Sequence, residues 1–197
     1  DLSADSGESA TADTAGDLPR PWRPATAQAT QHTADNPAIT WPQWTDSVLD
    51  GLEGQATKFN ANIEAIAVLR AIEREGRSPT PDERVALLRF TGWGGIPASF
   101  NLDGTDAAWK QRARQLSEML QPGEYESARA SVNNSHYTEP FIVRWIWAAL
   151  RRLGFEGGHI LDPSSGIGHF LGCMPADIAT RSRITAVELD DLAGRIL

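Results

Sequence analysis

Apolar residues recur at helical spacing from about residue 41 onward, and this pattern predicts amphipathic helices. The first predicted helix has five such residues: Phe59, Ile63, Ile66, Leu69 and Ile72. Gly76 is placed to end this helix with a left-handed cap. In the next helix we expect Thr80 as the N-cap, Pro81 at the first helical position, and Glu83 closing a capping box.

The same pattern extends the helical region to residue 131. We expect Val85 and Leu88 on the buried face of the helix that starts at Pro81. Residues 92–97, Gly-Trp-Gly-Gly-Ile-Pro, must form a loop because three glycines and a proline suit neither a helix nor a strand. Two further helices are predicted over residues 106–120 and 125–130. The apolar side of the longer one is formed by Trp109, Ala113, Leu116 and Leu120.

The pattern changes after residue 132. A helix opened by Pro140 and closed by Gly154 has apolar residues on most sides, so we expect it to be largely buried. Strands are predicted at 159–161 and 184–189, with a helix that begins near Gly168 between them. This order defines a βαβ unit with two parallel strands. The expected fold class is therefore α/β, with a helical domain at 41–131 before it.

Composition and charge restrict the class of protein. The 197 residues are 41% hydrophobic and 8% aromatic, enough for a packed core. Residues 1–40 contain six acidic and two basic residues and few large apolar ones, which predicts a disordered acidic tail. The single cysteine, Cys173, is expected to be a buried, inert thiol without metal-ligand neighbours, as in a reducing, cytoplasmic compartment.

Two classes of partner are restricted as well. The longest apolar run is shorter than the roughly 20 residues that a membrane helix needs, so no membrane partner is expected. The net charge of −8 argues against strong nucleic-acid binding by this chain itself. If DNA is a partner, we expect it to be bound by parts of the protein not present here.

The residues that carry chemistry follow the first strand, in the segment 162–170, Asp-Pro-Ser-Ser-Gly-Ile-Gly-His-Phe. Gly166 and Gly168 allow a ligand to come close to the backbone at the start of a helix. Glu188 lies 20 residues after Gly168, the spacing at which an acid reaches ribose hydroxyls. Leu171 replaces the third glycine of a dinucleotide fingerprint, and Asp162 suits a cationic ligand better than a diphosphate. We therefore expect S-adenosylmethionine rather than NAD.

These residues resemble the motifs of amino-methylating DNA methyltransferases. Segment 162–170 is similar to their D/E-P-x-x-G-x-G-x-F cofactor motif, and 187–190 to the motif whose acid holds the ribose. Segment 135–140, Ser-His-Tyr-Thr-Glu-Pro, resembles the Y-T-x-P segment that folds over the methionine end of the cofactor. The resemblance implies an incomplete class I, Rossmann-like methyltransferase domain at 132–197. The implied cofactor-binding residues are Tyr137, Thr138, Asp162, Pro163, Gly166, Gly168, Phe170 and Glu188.

A narrower resemblance covers the helical region. Segments 60–74, 77–83, 91–97 and 124–129 resemble the region before the methylase in very large methylase/helicase proteins of phages and conjugative elements, including antirestriction proteins. This implies a helicase-associated protein of a mobile element. The loop of residues 92–95 is a marker of that family, and the sequence assigns it no role.

One motif of the methyltransferases is absent. The D/N-P-P-aromatic motif, which positions the amino group of a flipped adenine, does not occur, because neither Asn36 nor Asp162 is followed by two prolines. The chain also begins at Asp1 rather than Met and stops within a helical pattern. We therefore expect a fragment of an adenine-N6 DNA methyltransferase, without catalytic residues and inactive alone. The alternative is a non-catalytic interaction or antirestriction module with a vestigial methylase edge, and methylation of RNA or protein would use the same visible motifs.

Several side chains are also expected to have structural roles. His136 and His169 are lone loop histidines, which are usually solvated. Trp145, like Trp109, lies on an apolar helical face and is expected in the core. Tyr137 could instead pack against the start of the following helix, and the Thr138 hydroxyl could instead cap that helix.

Overall fold

A computed structural model describes residues 44–197, and the predicted acidic tail at 1–40 lies outside these described residues. Most of the described chain is helical, and a pair of strands lies near its end. The helices are α1 Gln55–Glu75, α2 Pro81–Leu88, α3 Ala107–Met119, α4 Pro122–Ser131, α5 Pro140–Arg152, α6 His169–Gly172, α7 Ala176–Ala179 and α8 Asp191–Ile196. The strands are β1 His159–Asp162 and β2 Arg183–Ala186, and short 3-10 helices span Asp46–Leu49 and Pro97–Phe100.

The helix boundaries around residues 76–83 are confirmed. Gly76 ends α1 in the left-handed conformation, with φ at 63°. Thr80 Oγ1 accepts a hydrogen bond from the Glu83 backbone N–H, and the Glu83 carboxylate accepts one from the Thr80 N–H at 2.8 Å. This reciprocal pair is the predicted capping box, and it satisfies two backbone donors that the first turn of a helix leaves unpaired.

Two details of the helical region differ from expectation. Val85 is 46% exposed, and Leu87 is the buried residue of α2, so the predicted buried face of this helix is wrong at Val85. Helix α4 begins at Pro122 rather than at Tyr125. Proline at the first helical position is favourable because its missing N–H would have no partner there in any case.

Helix α5 is less buried than its composition suggested. Val143 and Trp147 face the core, and the Trp147 Nε1–H donates to the Phe170 carbonyl oxygen at 2.9 Å. Trp145, in contrast, is 72% exposed, and Phe141 and Ile142 of this helix are exposed as well. The prediction that Trp145 is a core residue is therefore wrong, because α5 packs along one side only.

The two strands are parallel, as predicted, with Ile160 opposite Ile184 and Leu161 opposite Thr185. The two isoleucines pack against the core, whereas Leu161 and Thr185 are exposed on the other face. Strand β2 ends at Ala186 rather than at residue 189. A two-stranded parallel sheet is compatible with the start of a Rossmann-like domain, and that fold class stays a prediction.

The core is one continuous cluster of buried residues that runs from Trp44 to Ala193 and so includes parts of both predicted domains. Trp93, Phe59 and Phe90 are fully buried within it. Cys173 is buried, as expected. Among residues 44–197, none of the helices has both the length and the apolar character needed to cross a membrane.

Candidate functional site

The turn between β1 and α6 is built on two glycines. Gly166 and Gly168 have φ angles of 56° and 86°, a left-handed conformation that glycine adopts without steric cost. Both residues are buried. A Cβ atom at Gly166 would lie 2.9 Å from a ring carbon of Tyr137, so a larger residue would displace that ring. Helix α6, which follows the turn, is only four residues long.

Glu188 is brought directly onto this turn. Its Oε2 atom accepts a hydrogen bond from the Gly166 backbone N–H at 2.6 Å. Its Oε1 atom accepts from the N–H groups of Leu189 and Asp190, both at 2.8 Å. A carboxylate offers about four acceptor positions, so about one remains for a further donor.

Asp162 ends β1 beside the same turn. Its Oδ1 atom accepts a long hydrogen bond from the Ser164 backbone N–H at 3.4 Å. Its Oδ2 atom is buried and has no hydrogen-bond partner within the described residues. Burial raises the pKa of Asp162, the Ser164 N–H opposes this shift, and the charge of Glu188 adds to it. A buried acceptor without a partner costs free energy, which a cationic or hydrogen-bond-donating ligand would relieve.

Tyr137 covers the turn from the side of the segment before α5. Its ring lies against Gly166 and meets the His169 ring edge-on, with 5.4 Å between ring centroids. Burial is the main cause that raises the pKa of the Tyr137 hydroxyl, and the charges of Asp190 and Glu188 act in the same direction. Tyr137 is therefore a neutral phenol that closes one side of the turn.

His169 is buried, so the expectation of a solvated histidine is wrong for this residue, whereas His136 is exposed as predicted. As the first residue of α6, His169 places its ring between Trp44 and Tyr137. Its Nδ1 atom lies 2.7 Å from the Thr138 carbonyl oxygen, and this oxygen can only accept, so Nδ1 carries the proton. Burial lowers the pKa of His169, which favours the neutral ring. No neighbouring residue in the sequence indicates this burial, because Trp44, which covers the ring, lies far away along the chain.

The other predicted site residues lie at the margins of this group. Pro163 is exposed, and Phe170 is half-buried against the core. Thr138 contributes its backbone carbonyl to His169. A Cβ atom at Gly168 would lie 2.6 Å from the Leu197 side chain, so that side chain covers the second glycine.

A small cleft of about 50 Å³ also touches the turn at Gly168. Its other lining residues are Trp44, Leu88, Ile167, Gly172, Ile196 and Leu197. None of the predicted acids lines it, and its volume is far below the ~300–1,000 Å³ typical of small-molecule pockets. We therefore take the acidic side of the turn, where the carboxylates of Asp162, Glu188 and Asp190 lie, as the candidate ligand-binding site.

Asp190 belongs to the same acidic group. Its Oδ1 atom caps α8 by accepting from the N–H groups of Leu192 and Ala193 at 2.9 and 3.3 Å. Burial is the main cause that raises the pKa of Asp190, and the Glu188 charge contributes to the shift. A group of carboxylates around a buried glycine turn favours a ligand that carries positive charge and hydrogen-bond donors.

Comparisons of the chain with protein-family models, with curated proteins and with solved structures find no match.

Proposed function

We propose that the chain is the cofactor-binding part of an S-adenosylmethionine-dependent DNA methyltransferase that acts on N6 of adenine. The observation that carries this proposal is the hydrogen bond between the Glu188 carboxylate and the Gly166 backbone N–H. It brings the acid that follows β2 next to the glycine turn that follows β1, and this supports the proposal because nucleotide-binding α/β domains bind their cofactor with such a turn and such an acid. The proposed fold is the incomplete start of a class I, Rossmann-like methyltransferase.

Each side chain has a role in this proposal. The partnerless Oδ2 atom of Asp162 would accept from the cationic methionine end of the cofactor, and the remaining acceptor position of Glu188 would hold a ribose hydroxyl. Tyr137 would close the site over Gly166. When it is bound, S-adenosylmethionine supplies a methyl group attached to a sulfonium. The residues of this chain bind and orient that cofactor, and no methyl-transfer step is assigned to them.

The proposal that DNA is the substrate rests on the resemblance of the motifs rather than on a surface of this chain. The net charge is −8, so a polyanion would be repelled by the chain as a whole. We propose that other parts of the protein bind DNA, and that the protein is cytoplasmic and associated with a helicase.

A second candidate is a non-catalytic interaction or antirestriction module. This candidate is favoured because the groups around the turn already have partners within the chain. Glu188 accepts three backbone hydrogen bonds, and Tyr137 packs on Gly166. In this module the methylase-like turn would be a structural element only.

Calorimetric titration of the 197-residue chain with S-adenosylmethionine distinguishes the two candidates. The first predicts saturable binding that S-adenosylhomocysteine competes for and NAD does not. Asp162→Asn should weaken this binding, and the matched variant Asp103→Asn should not, because Asp103 is exposed. A chain with a helical circular dichroism spectrum that shows no saturable binding would contradict the first candidate and favour the second.

A further inference from the structure

The loop of residues 92–95 is anchored in the core from one side. Trp93 is fully buried and contacts Phe90 and Phe100 edge-to-face, at 5.9 and 5.4 Å between ring centroids. The buried amide of Asn62 in α1 donates to the Gly92 carbonyl oxygen at 2.7 Å and accepts from the Thr91 backbone N–H at 2.7 Å. The backbone of this loop is therefore held by both its ring contacts and its hydrogen bonds.

The other side of the loop lies directly against the segment that carries Tyr137. The Gly94 N–H donates to the Ser135 carbonyl oxygen at 3.2 Å. A Cβ atom at Gly94 would overlap that oxygen and lie 2.8 Å from the His136 ring. A Cβ atom at Gly92 would overlap the Ser135 hydroxyl and lie 3.2 Å from the Tyr137 ring. Glycine is needed at both positions because the segment passes too close for any side chain.

The contacts continue from this segment to the turn. The Tyr137 ring lies on Gly166, where an added Cβ atom would be 2.9 Å away. An unbroken series of contacts thus runs from Asn62 through the loop and Ser135 to Tyr137 and the turn. Since each step is a hydrogen bond or a contact without spare space, we expect a shift of the loop to displace the Tyr137 ring.

We propose that the loop of residues 92–95 is a positioning element that fixes Tyr137 on the Gly166 turn. Gly92 and Gly94 act through Tyr137 and need not touch a ligand themselves. The effect on a ligand rests on the proposed function, whereas the effect on Tyr137 does not. The loop therefore links the helical region to the site.

The neighbouring glycines provide a matched pair of variants for the full 197-residue chain. Gly94→Ala places a Cβ atom where Ser135 lies, while Gly95→Ala meets only the Lys58 side chain at 3.8 Å. The chain has two tyrosines, Tyr125 and Tyr137, so labelling with 3-fluorotyrosine yields two fluorine resonances, which Tyr137→Phe assigns. Tyr125 contacts Phe100, which in turn contacts Trp93, so its resonance reports any general loosening of the core.

We expect Gly94→Ala to shift the Tyr137 resonance and leave that of Tyr125 in place, and Gly95→Ala to shift neither. In the same samples, S-adenosylmethionine should bind about tenfold more weakly to Gly94→Ala and with unchanged affinity to Gly95→Ala. An unmoved Tyr137 resonance in folded Gly94→Ala would overturn the proposal. Equal movement of both resonances would also overturn it, because the loop would then be merely structural.

Two further measurements keep the outcome decisive. If Gly94→Ala does not fold, Asn62→Ala replaces it, since this change releases the Gly92 carbonyl oxygen and the Thr91 N–H of the loop without altering a side chain that touches Tyr137. An unmoved Tyr137 resonance in that variant would reject the positioning role. If the wild-type chain does not bind S-adenosylmethionine, the proposed function fails, and the fluorine resonances still decide whether the loop positions Tyr137.

Discussion

The Glu188 carboxylate accepts a hydrogen bond from the Gly166 backbone N–H at 2.6 Å, across 22 residues of chain. The neighbouring Ser165 N–H donates to the Val187 carbonyl oxygen at 3.1 Å, and its hydroxyl bonds the same oxygen at 3.2 Å. Together these bonds hold the turn after β1 against the segment after β2. The shape of the turn is therefore set by bonds within the chain, and such preorganisation would lower the entropic cost of binding the proposed cofactor.

Glu188→Gln tests this relationship. The amide keeps the size of the side chain but presents one NH₂ group to backbone N–H donors, so at least one of the three hydrogen bonds is lost. We expect a loss of about 1.5–3 kcal/mol in the free energy of unfolding, typical of a hydrogen bond to a charged group. Urea denaturation measures it, and Glu53→Gln, at an exposed position before α1, is the control. Equal stability of the two variants would show that these hydrogen bonds do not stabilise the turn.

Asp162→Asn tests the cost of the buried acid. Burial, opposed by the Ser164 N–H and assisted by the Glu188 charge, raises the pKa of Asp162. The folded chain then binds a proton that the unfolded chain has released, so this group reduces stability as pH rises from about 3.9 through the raised pKa. Asparagine carries no such cost. We therefore expect Asp162→Asn to become more stable relative to wild type over this pH window.

The measurement is urea denaturation of both chains between about pH 3 and pH 7. The gain should persist at neutral pH, where S-adenosylmethionine binding should be weaker by about 1.5–3 kcal/mol. Asp103→Asn should change neither quantity. A stability difference between Asp162→Asn and wild type that does not vary with pH would contradict the argument.

Local signals in the sequence were sufficient for several boundaries. Gly76, Thr80 and Glu83 fix the end of α1 and the start of α2 through contacts within a few residues, and those boundaries are confirmed. The parallel pairing of β1 and β2 is confirmed as well. It was predictable because the connection between the two strands is too long for a hairpin. Such features depend on the backbone and on near neighbours.

Features that depend on distant contacts were not predictable. Trp145 and Trp147 stand two residues apart in a helix with apolar residues on most sides, and nothing local indicates that only Trp147 faces the core. The burial of His169 depends on Trp44, and that of Asn62 on a loop about 30 residues further along. The cofactor-binding roles of Asp162 and the other site residues stay predictions.

A cluster of ion pairs connects the helical region to α8, which directly follows the acidic side of the turn. Glu124, only 8% exposed, pairs with Arg70 and with Arg195, the latter at 2.6 Å. Arg195 also pairs with Glu73 of α1 at 2.6 Å. Burial acts to raise the pKa of Glu124, but the Gln121 N–H and the two guanidinium groups outweigh it, and the net pKa is lowered.

Glu124→Gln should therefore destabilise the protein at neutral pH, by about 1–3 kcal/mol. Because the folded pKa is lowered, the stabilisation is present above the unfolded value of about 4.3 and disappears as pH falls through the folded pKa. The loss of stability caused by Glu124→Gln should therefore become smaller as pH falls through this range. Glu126→Gln on the same helix is the control, since Glu126 is 69% exposed and lies 3.8 Å from Arg129. That variant should change stability by less than about 0.5 kcal/mol, and an equal effect of both would refute the role of the cluster.

The open face of the sheet is expected to reduce solubility. Leu161 is 64% exposed, and Val187 and Leu189 are exposed in the segment after β2. Parallel sheets are normally covered on both faces, so exposed apolar side chains here favour association between chains. Threonine at position 161 would match its exposed register partner Thr185 and introduce the β-branched shape that a strand favours.

We therefore expect Leu161→Thr to decrease light scattering of concentrated samples and to leave the free energy of unfolding within about 0.5 kcal/mol of wild type. Ile160→Thr is the matched control, because Ile160 is the adjacent residue and packs against the core on the opposite face. It should cost about 1–3 kcal/mol, since it places a hydroxyl among apolar side chains. If Leu161→Thr costs as much as Ile160→Thr, the face must be covered in solution, and the exposure of Leu161 cannot be the cause of association.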